Sequence, residues 1–260
     1  MKDNLVFLTE DELETPIYRV FSFERLEEVF QRRILTLVKP KLWEDPFENF
    51  ILNSTGFLPD GREFQILFRN NFYGQCWSLL RESDAMWRIY SPRRDEDFHG
   101  VKVKTTIRKI FKPIFELGIQ RVRNDNTIYN LSSFVGKVKY QGEKALIEML
   151  KDESRMSGKI FDQSGWGQAS TFFFKRVTFR HEKEIRLIYN AQSNNSYDTL
   201  GVGIDPFEVF DEIVFDPRMS ESSYVAKKRQ LREWGFDKKI IQSGLYKLKP
   251  FTIALRLPYG

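Results

Sequence analysis

Three short stretches carry residue types that could act together on a ligand. The first is Glu182-Lys183-Glu184-Ile185-Arg186. On a strand, side chains alternate between faces, which puts Glu182, Glu184 and Arg186 on one face and Lys183, Ile185 and Leu187 on the other. Two carboxylates at that spacing are costly if both are buried and ionised. Either the face is a solvated edge strand with its own arginine, or the pair serves a cationic or electron-poor substrate. The second stretch is Tyr18-Arg19, an arginine inside the aromatic run Ile17 to Phe21. It must snorkel to water or find an anion. Its planar fork suits a phosphate or carboxylate, and an acid of the chain itself would also serve. The third is Cys76-Trp77-Ser78, at the end of an apolar run. With no histidine in view to activate it, Ser78 is better suited to hydrogen bonding a ligand, orienting a carboxylate or closing a turn than to nucleophilic attack.

Two further groups could line a pocket or simply pack. Asp45-Pro46-Phe47-Glu48 brings acids and an aromatic ring together. Trp87 and Tyr90, three apart on a short helix, share a face. Other chemistries lack a signature. There is no Gly-rich phosphate loop, and His99 and His181 have no paired-ligand spacing. The single cysteine, Cys76, leaves no intramolecular disulfide and no Cys-cluster zinc site, so no metal is expected.

The elements that must position these residues are legible from periodicity. Ile17 to Phe21 predicts a strand, and Ser22 caps a helix whose apolar face is Phe23, Leu26, Val29 and Phe30. Further strands are predicted at Ile34 to Val38, within residues 62 to 80, at His99 to Lys104, at Val135 to Tyr140, from Glu182 onward and at Lys239 to Gln242, and Glu212 to Phe215 is a short apolar run. Helices are predicted at residues 84 to 91, around Pro113 within 104 to 120, at Glu143 to Met149 and, strongly basic, at residues 221 to 234. Residues 151 to 170, polar and rich in Gly and Ser, predict a mobile loop, as do the Asn and Ser residues of Ala191 to Tyr197.

The totals agree with a globular α+β chain. It has 260 residues, 41% hydrophobic and 30% charged, with 15% aromatic residues that include 24 Phe. That is enough to bury a large core, with substantial sheet content. We expect a single domain over residues 1–260, with mixed or antiparallel central sheets and flanking helices, and an insertion at about 104–170. The formal charge of +5 tolerates a polyanionic partner without requiring one. No apolar run is long enough to span a membrane, and acidic residues interrupt the N-terminal region where a signal peptide would continue, so a cytoplasmic protein is expected.

Arg, then Ser, then Glu-x-Glu, each on a predicted strand, resembles the R-S-E branch of the ADP-ribosyltransferase superfamily. Tyr18-Arg19 stands where that family has its aromatic-Arg strand, Cys76-Trp77-Ser78 where it has Ser-x-Ser, and Glu182-Lys183-Glu184 where it has Glu/Gln-x-Glu. The first serine of the family pattern is Cys76 here. The wider set is similar to the bacterial domain-of-unknown-function family twenty-nine seventy-one. It adds the block Trp43 to Glu48, Met86-Trp87 with Tyr90, Gly100-Val101 and Arg186.

The resemblance implies an ADP-ribosyltransferase-like fold and a mono-ADP-ribosyltransferase that uses NAD as substrate, in a toxin or phage-defence setting. Glu184 would stabilise the ribosyl cation, Glu182 would deprotonate the acceptor, Arg19 would hold a phosphate or the nicotinamide ribose, and Ser78 would orient Glu184. Tyr18 would join Arg19 on NAD, Trp87 or Tyr90 would stack on a ring, and residues 164 to 170 would touch the acceptor. The acceptor would be a macromolecule. The basic helix favours a nucleic acid such as messenger RNA over protein. An antitoxin is among the partners such a toxin would have. The alternatives are a non-catalytic binding module of the same fold and an NAD glycohydrolase.

Overall fold

The computed structural model describes every residue except 44, 46, 47, 49–53, 59, 66–69, 92, 95, 96, 122–127, 192–195, 249 and 257–260. Glu44, Pro46 and Phe47 of the acidic-aromatic block therefore lie outside the described residues, as do residues 192–195 of the expected Asn- and Ser-rich loop. Aromatic and β-branched runs form the strands. Apart from three short two-stranded ribbons, these are β1 (Leu5–Val6), β2 (Pro16–Ser22), β3 (Ile34–Val38), β4 (Phe72–Ser78), β5 (Gly100–Thr106), β6 (Ser133–Lys137), β7 (Lys139–Gln141), β8 (Phe174–Arg176), β9 (Glu184–Asn190), β10 (Thr199–Gly203), β11 (Glu212–Phe215) and β12 (Lys239–Gln242).

All of these but β7 and β8 join one ten-stranded sheet in the order β1-β6-β9-β4-β2-β5-β11-β12, with β3 and β10 branching from β4. The sheet is mixed: β1–β6 and β11–β12 are parallel, and the other pairs are antiparallel. Strands from Leu5 to Gln242 share this one hydrogen-bonded layer, and the protein is an α+β fold with a mixed central sheet and flanking helices. Residues 104–170 supply β6 to that layer.

The branch at β4 makes the cleft. On one side β4 pairs with β9 along its whole length, from Ser78 opposite Glu184 to Phe72 opposite Asn190. On the other side it meets β2 only at Tyr18 opposite Ser78, and β3 only at Val38 opposite Gly74. Residues 75–77 thus face the fork between two diverging strands. Gly74 is required at the base of the fork. A Cβ there would stand 2.7 Å from the Trp43 ring and 2.9 Å from Ile188, closer than packed carbon atoms sit.

Helices cover the faces. Ser22 Oγ accepts from the Arg25 amide at 3.4 Å and starts α1 (Phe23–Arg32), and Arg33, in the left-handed region at φ 54°, ends it. α2 spans Asp84–Tyr90. Thr106 caps α3 (Ile107–Leu117), which runs through Pro113 and buries Ile107, Ile110, Phe111 and Ile114. These pack with Leu26, Phe30, Val103 and Ile213 in the larger apolar cluster. A second cluster holds Phe72, Phe134, Leu146, Phe172, Phe174 and Ile188. It lies under α4 (Glu143–Lys151), α5 (Glu153–Ile160) and α6 (Trp166–Ser170). A short α7 (Pro206–Val209) precedes β11, and α8 (Glu221–Glu233) follows it.

Three expectations are corrected here. Residues 151–170 are not a loop. The Asp152 carboxylate caps α5 by accepting from the Arg155 amide, and Asp162 accepts from the Ser164 and Gly167 amides to turn the chain into α6, where Ala169 and Ser170 are buried. Composition pointed to a mobile loop where local capping builds helix. The expected strand Val135 to Tyr140 breaks at Val138, and its second part, β7, leaves the main sheet to pair with β8. Glu182 is not on a strand. It ends a 3-10 helix, Val177–Glu182, and β9 begins only at Glu184. No helix among the described residues is long and apolar enough to cross a membrane.

Candidate active site

The Glu-x-Glu motif is a pinned turn at the head of a central strand. Lys183 lies in the left-handed region at φ 45°, a strained choice for a residue with a Cβ. Four hydrogen bonds hold it there. Ser78 Oγ donates to the Glu182 carbonyl at 2.6 Å, and the Leu79 amide donates to the Lys183 carbonyl at 3.0 Å. The Glu184 amide donates to Tyr140 Oη at 2.8 Å, and the Val138 amide donates to the Glu184 carbonyl at 3.0 Å. β9 runs between β6 and β4, so the solvated edge strand is ruled out. The two glutamates do converge, but through this turn and not through strand alternation.

Their carboxylates enter a buried ionic cluster. Lys175 Nζ lies 2.5 Å from Glu182 Oε2, 2.5 Å from Glu184 Oε1 and 2.7 Å from Glu48 Oε1. Arg186, 0% exposed, donates from Nε to Glu184 Oε2 at 2.7 Å and from Nη1 to the Phe172 carbonyl at 2.5 Å. It reaches Glu48 Oε2 at 3.2 Å and lies 4.6 Å over the Trp43 ring. Burial raises Glu182 to about 8, helped by the neighbouring Glu184. Glu184 moves the other way: against its own burial, the Arg186 charge, Glu182 and Lys175 hold it below the usual carboxylate range. Lys175 is the residue that sequence reasoning missed. The available signal was a lysine ending the apolar run Phe172-Phe173-Phe174, since a cation in such a run must find an anion.

Tyr18, Arg19, Ser78, Tyr90, Glu182 and Glu184 line one cavity of about 110 Å³, together with Cys76 and Met86. Arg19 and Trp77 also line a larger one of about 340 Å³ in the fork between β2, β3 and β4, whose other walls include Phe21, Arg25, Arg32 and Gln75. Among the described residues no carboxylate pairs with Arg19. Its guanidinium sits 5.9 Å from the Phe21 ring, and burial lowers its pKa. Burial, followed by the charges of Glu182 and Glu184, pushes the Tyr90 phenol up, and burial likewise pushes up the Cys76 thiol.

Two assigned roles are not met by the geometry. Ser78 Oγ does not touch the Glu184 carboxylate; it holds the Glu182 backbone instead. Trp87 is 1% exposed and packs with Val20 and Val214, its indole donating to Glu82 at 2.6 Å, so it cannot stack on a ligand. Tyr90, 42% exposed, and Met86 occupy the cavity wall on that helix.

No family model and no curated protein matches the chain. Among solved structures it is similar to DarT of Thermus sp. 2.9 in complex with NAD+, at 11% identity and a TM-score of 0.36, over 88% of this chain and 96% of that one. The same DarT in complex with carba-NAD+ gives 13% and 0.35, over 88% and 96%. In complex with ADP-ribosylated ssDNA it gives 9% and 0.36, over 88% and 94%. Similarity at these TM-scores leaves the chemistry to be read from the residues themselves.

The four cations of the basic helix α8 each have a contact within the chain. Lys227 lies over the Phe23 ring and Lys228 over Tyr224, Arg229 pairs with Glu233, and Arg232 donates to the Phe236 carbonyl.

The opposed glutamates set a pH dependence of stability. Folding raises Glu182, so its contribution is complete below its unfolded value and is lost as pH rises through about 8. Glu184 is depressed, so its contribution is present above the ordinary carboxylate value and is lost on acidification. Glu182→Gln, fixed neutral, should abolish the alkaline loss. Melting curves from about pH 6 to 9 should show the variant gaining on the wild type as pH rises. Parallel curves would mean that another group titrates there.

Proposed function

We propose that residues 1–260 act as one mono-ADP-ribosyltransferase domain of the R-S-E type, which uses NAD and modifies a macromolecular acceptor. The observation that carries this reading is Arg19. It is a cation in a cleft with no carboxylate partner among the described residues, lining the same cavity as Ser78, Glu182 and Glu184. A desolvated charge without a partner is costly, and an anionic ligand would relieve it. The larger cavity, with Arg19, Arg32 and the Arg25–Glu28 ion pair among aromatic and aliphatic walls, suits the ADP half of NAD. The smaller one suits the nicotinamide ribose. The larger one lies in the size range of small-molecule sites and the smaller one below it.

In this reading the bond between ribose C1′ and the nicotinamide nitrogen breaks, and both electrons leave with nicotinamide. Ionised Glu184 stabilises the oxocarbenium-like sugar. The acceptor attacks C1′ and its proton passes to Glu182, which must first be ionised. Ser78, through the Glu182 carbonyl, fixes the turn that sets both glutamates. The resemblance adds a toxin or phage-defence role, with a neutralising partner. One observation favours the alternative, a binding module without turnover: both Glu184 oxygens are already engaged by Lys175 and Arg186.

The test is NAD labelled in its adenylate half, mixed with cell lysate, with nicotinamide release followed in parallel and label traced to protein, RNA or DNA. Arg19→Met should leave the melting temperature equal or higher, because it removes a half-buried charge that no carboxylate among the described residues pairs with. It should weaken NAD binding by about tenfold or more, the loss of a charge-assisted contact. Unchanged NAD affinity in this variant would remove the reading's main support.

A further inference from the structure

We infer that Lys175 is a positioning residue for the glutamate pair: its ammonium fixes the arrangement of Glu182 and Glu184 and sets how tightly the pair holds the one proton the site must carry. The catalytic consequence rests on the proposed function, but the geometry does not.

The proton follows from counting charges. Three carboxylates, Glu48, Glu182 and Glu184, meet two cations, Lys175 and Arg186, within 3.2 Å. All five are nearly or fully buried. With every group ionised the cluster would bury one uncompensated negative charge, and in a low dielectric one carboxylate takes a proton instead. Which one is settled by the second cation. Arg186 contacts Glu184 and Glu48 but not Glu182, so Glu184 has two cationic partners and Glu182 has one. The proton therefore stays on Glu182, within hydrogen-bonding reach of Glu184.

Lys175 is placed for this by an element outside the main sheet. β7 and β8 form a parallel ribbon in which Tyr140 and Lys175 are register partners. That one pair addresses the Glu-x-Glu turn twice: Tyr140 at the Glu184 amide, and Lys175 at both carboxylates. The three N–H donors of the ammonium match the three carboxylates in number. The Phe179 ring, 4.6 Å from Nζ, covers it. Among the described residues, the other titratable groups facing the pair are Tyr18 and Arg19 on β2, Cys76 on β4, Tyr90 on α2 and Tyr140 on β7. None of them joins the ion pairs.

The experiment is NMR of protein carrying 13C-carboxyl glutamate, titrated without NAD, with Glu182→Gln to assign the resonance. The variants are Lys175→Met and Glu48→Gln. Removing the ammonium leaves three carboxylates and one cation, so the upper titration of the pair should rise by about one pH unit or more, a tenfold change in proton affinity. Removing the Glu48 charge should move it down. Where acceptor labelling is measurable, its acidic limb should move in the same two directions. A purely structural lysine would lower the melting temperature and leave both titrations in place, and that result, or two shifts of the same sign, overturns the inference. If Lys175→Met does not fold, Glu48→Gln decides alone: a downward shift supports the inference and no shift overturns it. Because the titration needs no NAD, it stands or falls separately from the transferase reading.

Discussion

Glu184→Gln is expected to lower nicotinamide release from NAD by about a hundredfold or more, since a single preorganised electrostatic contact to a developing charge is typically worth that much. Gln keeps the size of the side chain and some of its hydrogen bonding but not the charge that Arg186 and Lys175 hold in place. Glu182→Gln should behave differently. It should cripple transfer to the acceptor while leaving slow hydrolysis of NAD largely intact, because water needs the acceptor-side base less. The raised Glu182 adds a pH signature. Transfer by the wild type should climb as pH passes through about 8 and Glu182 ionises, and hydrolysis should not follow it. The measurement is nicotinamide release and acceptor labelling, side by side, for the wild type and both variants. Equal loss of both activities in the two variants would show the roles to be wrongly divided. No loss in either would leave the cluster as a structural feature of β9.

Arg186→Met should cost stability on the scale of a broken buried ion pair, about 3–5 kcal/mol. The guanidinium is fully buried and holds Glu184, Glu48, the Phe172 carbonyl and the Trp43 ring together. Methionine fills part of the volume but leaves three carboxylates with only Lys175 between them. Each 1 kcal/mol moves the melting temperature by about 2–4 °C in a chain approaching this size, so the loss is easily seen in a thermal scan. Adding Glu48→Leu should restore part of it, because the second change removes one of the stranded charges. A loss under about 1 kcal/mol in the single variant would contradict the cluster as described. So would a double variant less stable than the single one.

The local elements and the three motif positions were legible because they rest on short-range physics. The alternation of Ile17 to Phe21, the cap at Ser22, the apolar face Phe23, Leu26, Phe30 and the runs at β3, β4, β11 and β12 each depend on neighbours within one or two turns or strand repeats. So did the choice of Arg19 and Glu184, since a charge in an apolar strand is visible without knowing what surrounds it. The errors came where a local signal was outweighed. Gly and Ser in residues 151–170 suggested a loop, but Asp152 and Asp162 supplied caps that turned the segment into helices packed on the second core. Period-two spacing put Glu182 on a strand, but the bonds from Ser78 and Leu79 hold it in a turn.

The ionic cluster could only come from tertiary structure. Glu48, Lys175 and Arg186 are brought together by strand order and by the β7–β8 ribbon, and no spacing rule connects residues so far apart in the chain. Trp87 and Tyr90 show the same limit at close range: helical spacing gives them a common face, but only the packing of α2 on the sheet buries one ring and leaves the other in the cavity wall. The sequence by itself determined which residues carry charge into apolar strands. Burial and the fork at β4 decided which of those charges are neutralised within the chain and which one, Arg19, is left facing the cleft, because the cost of a charge depends on the dielectric and the partners that only the folded chain supplies.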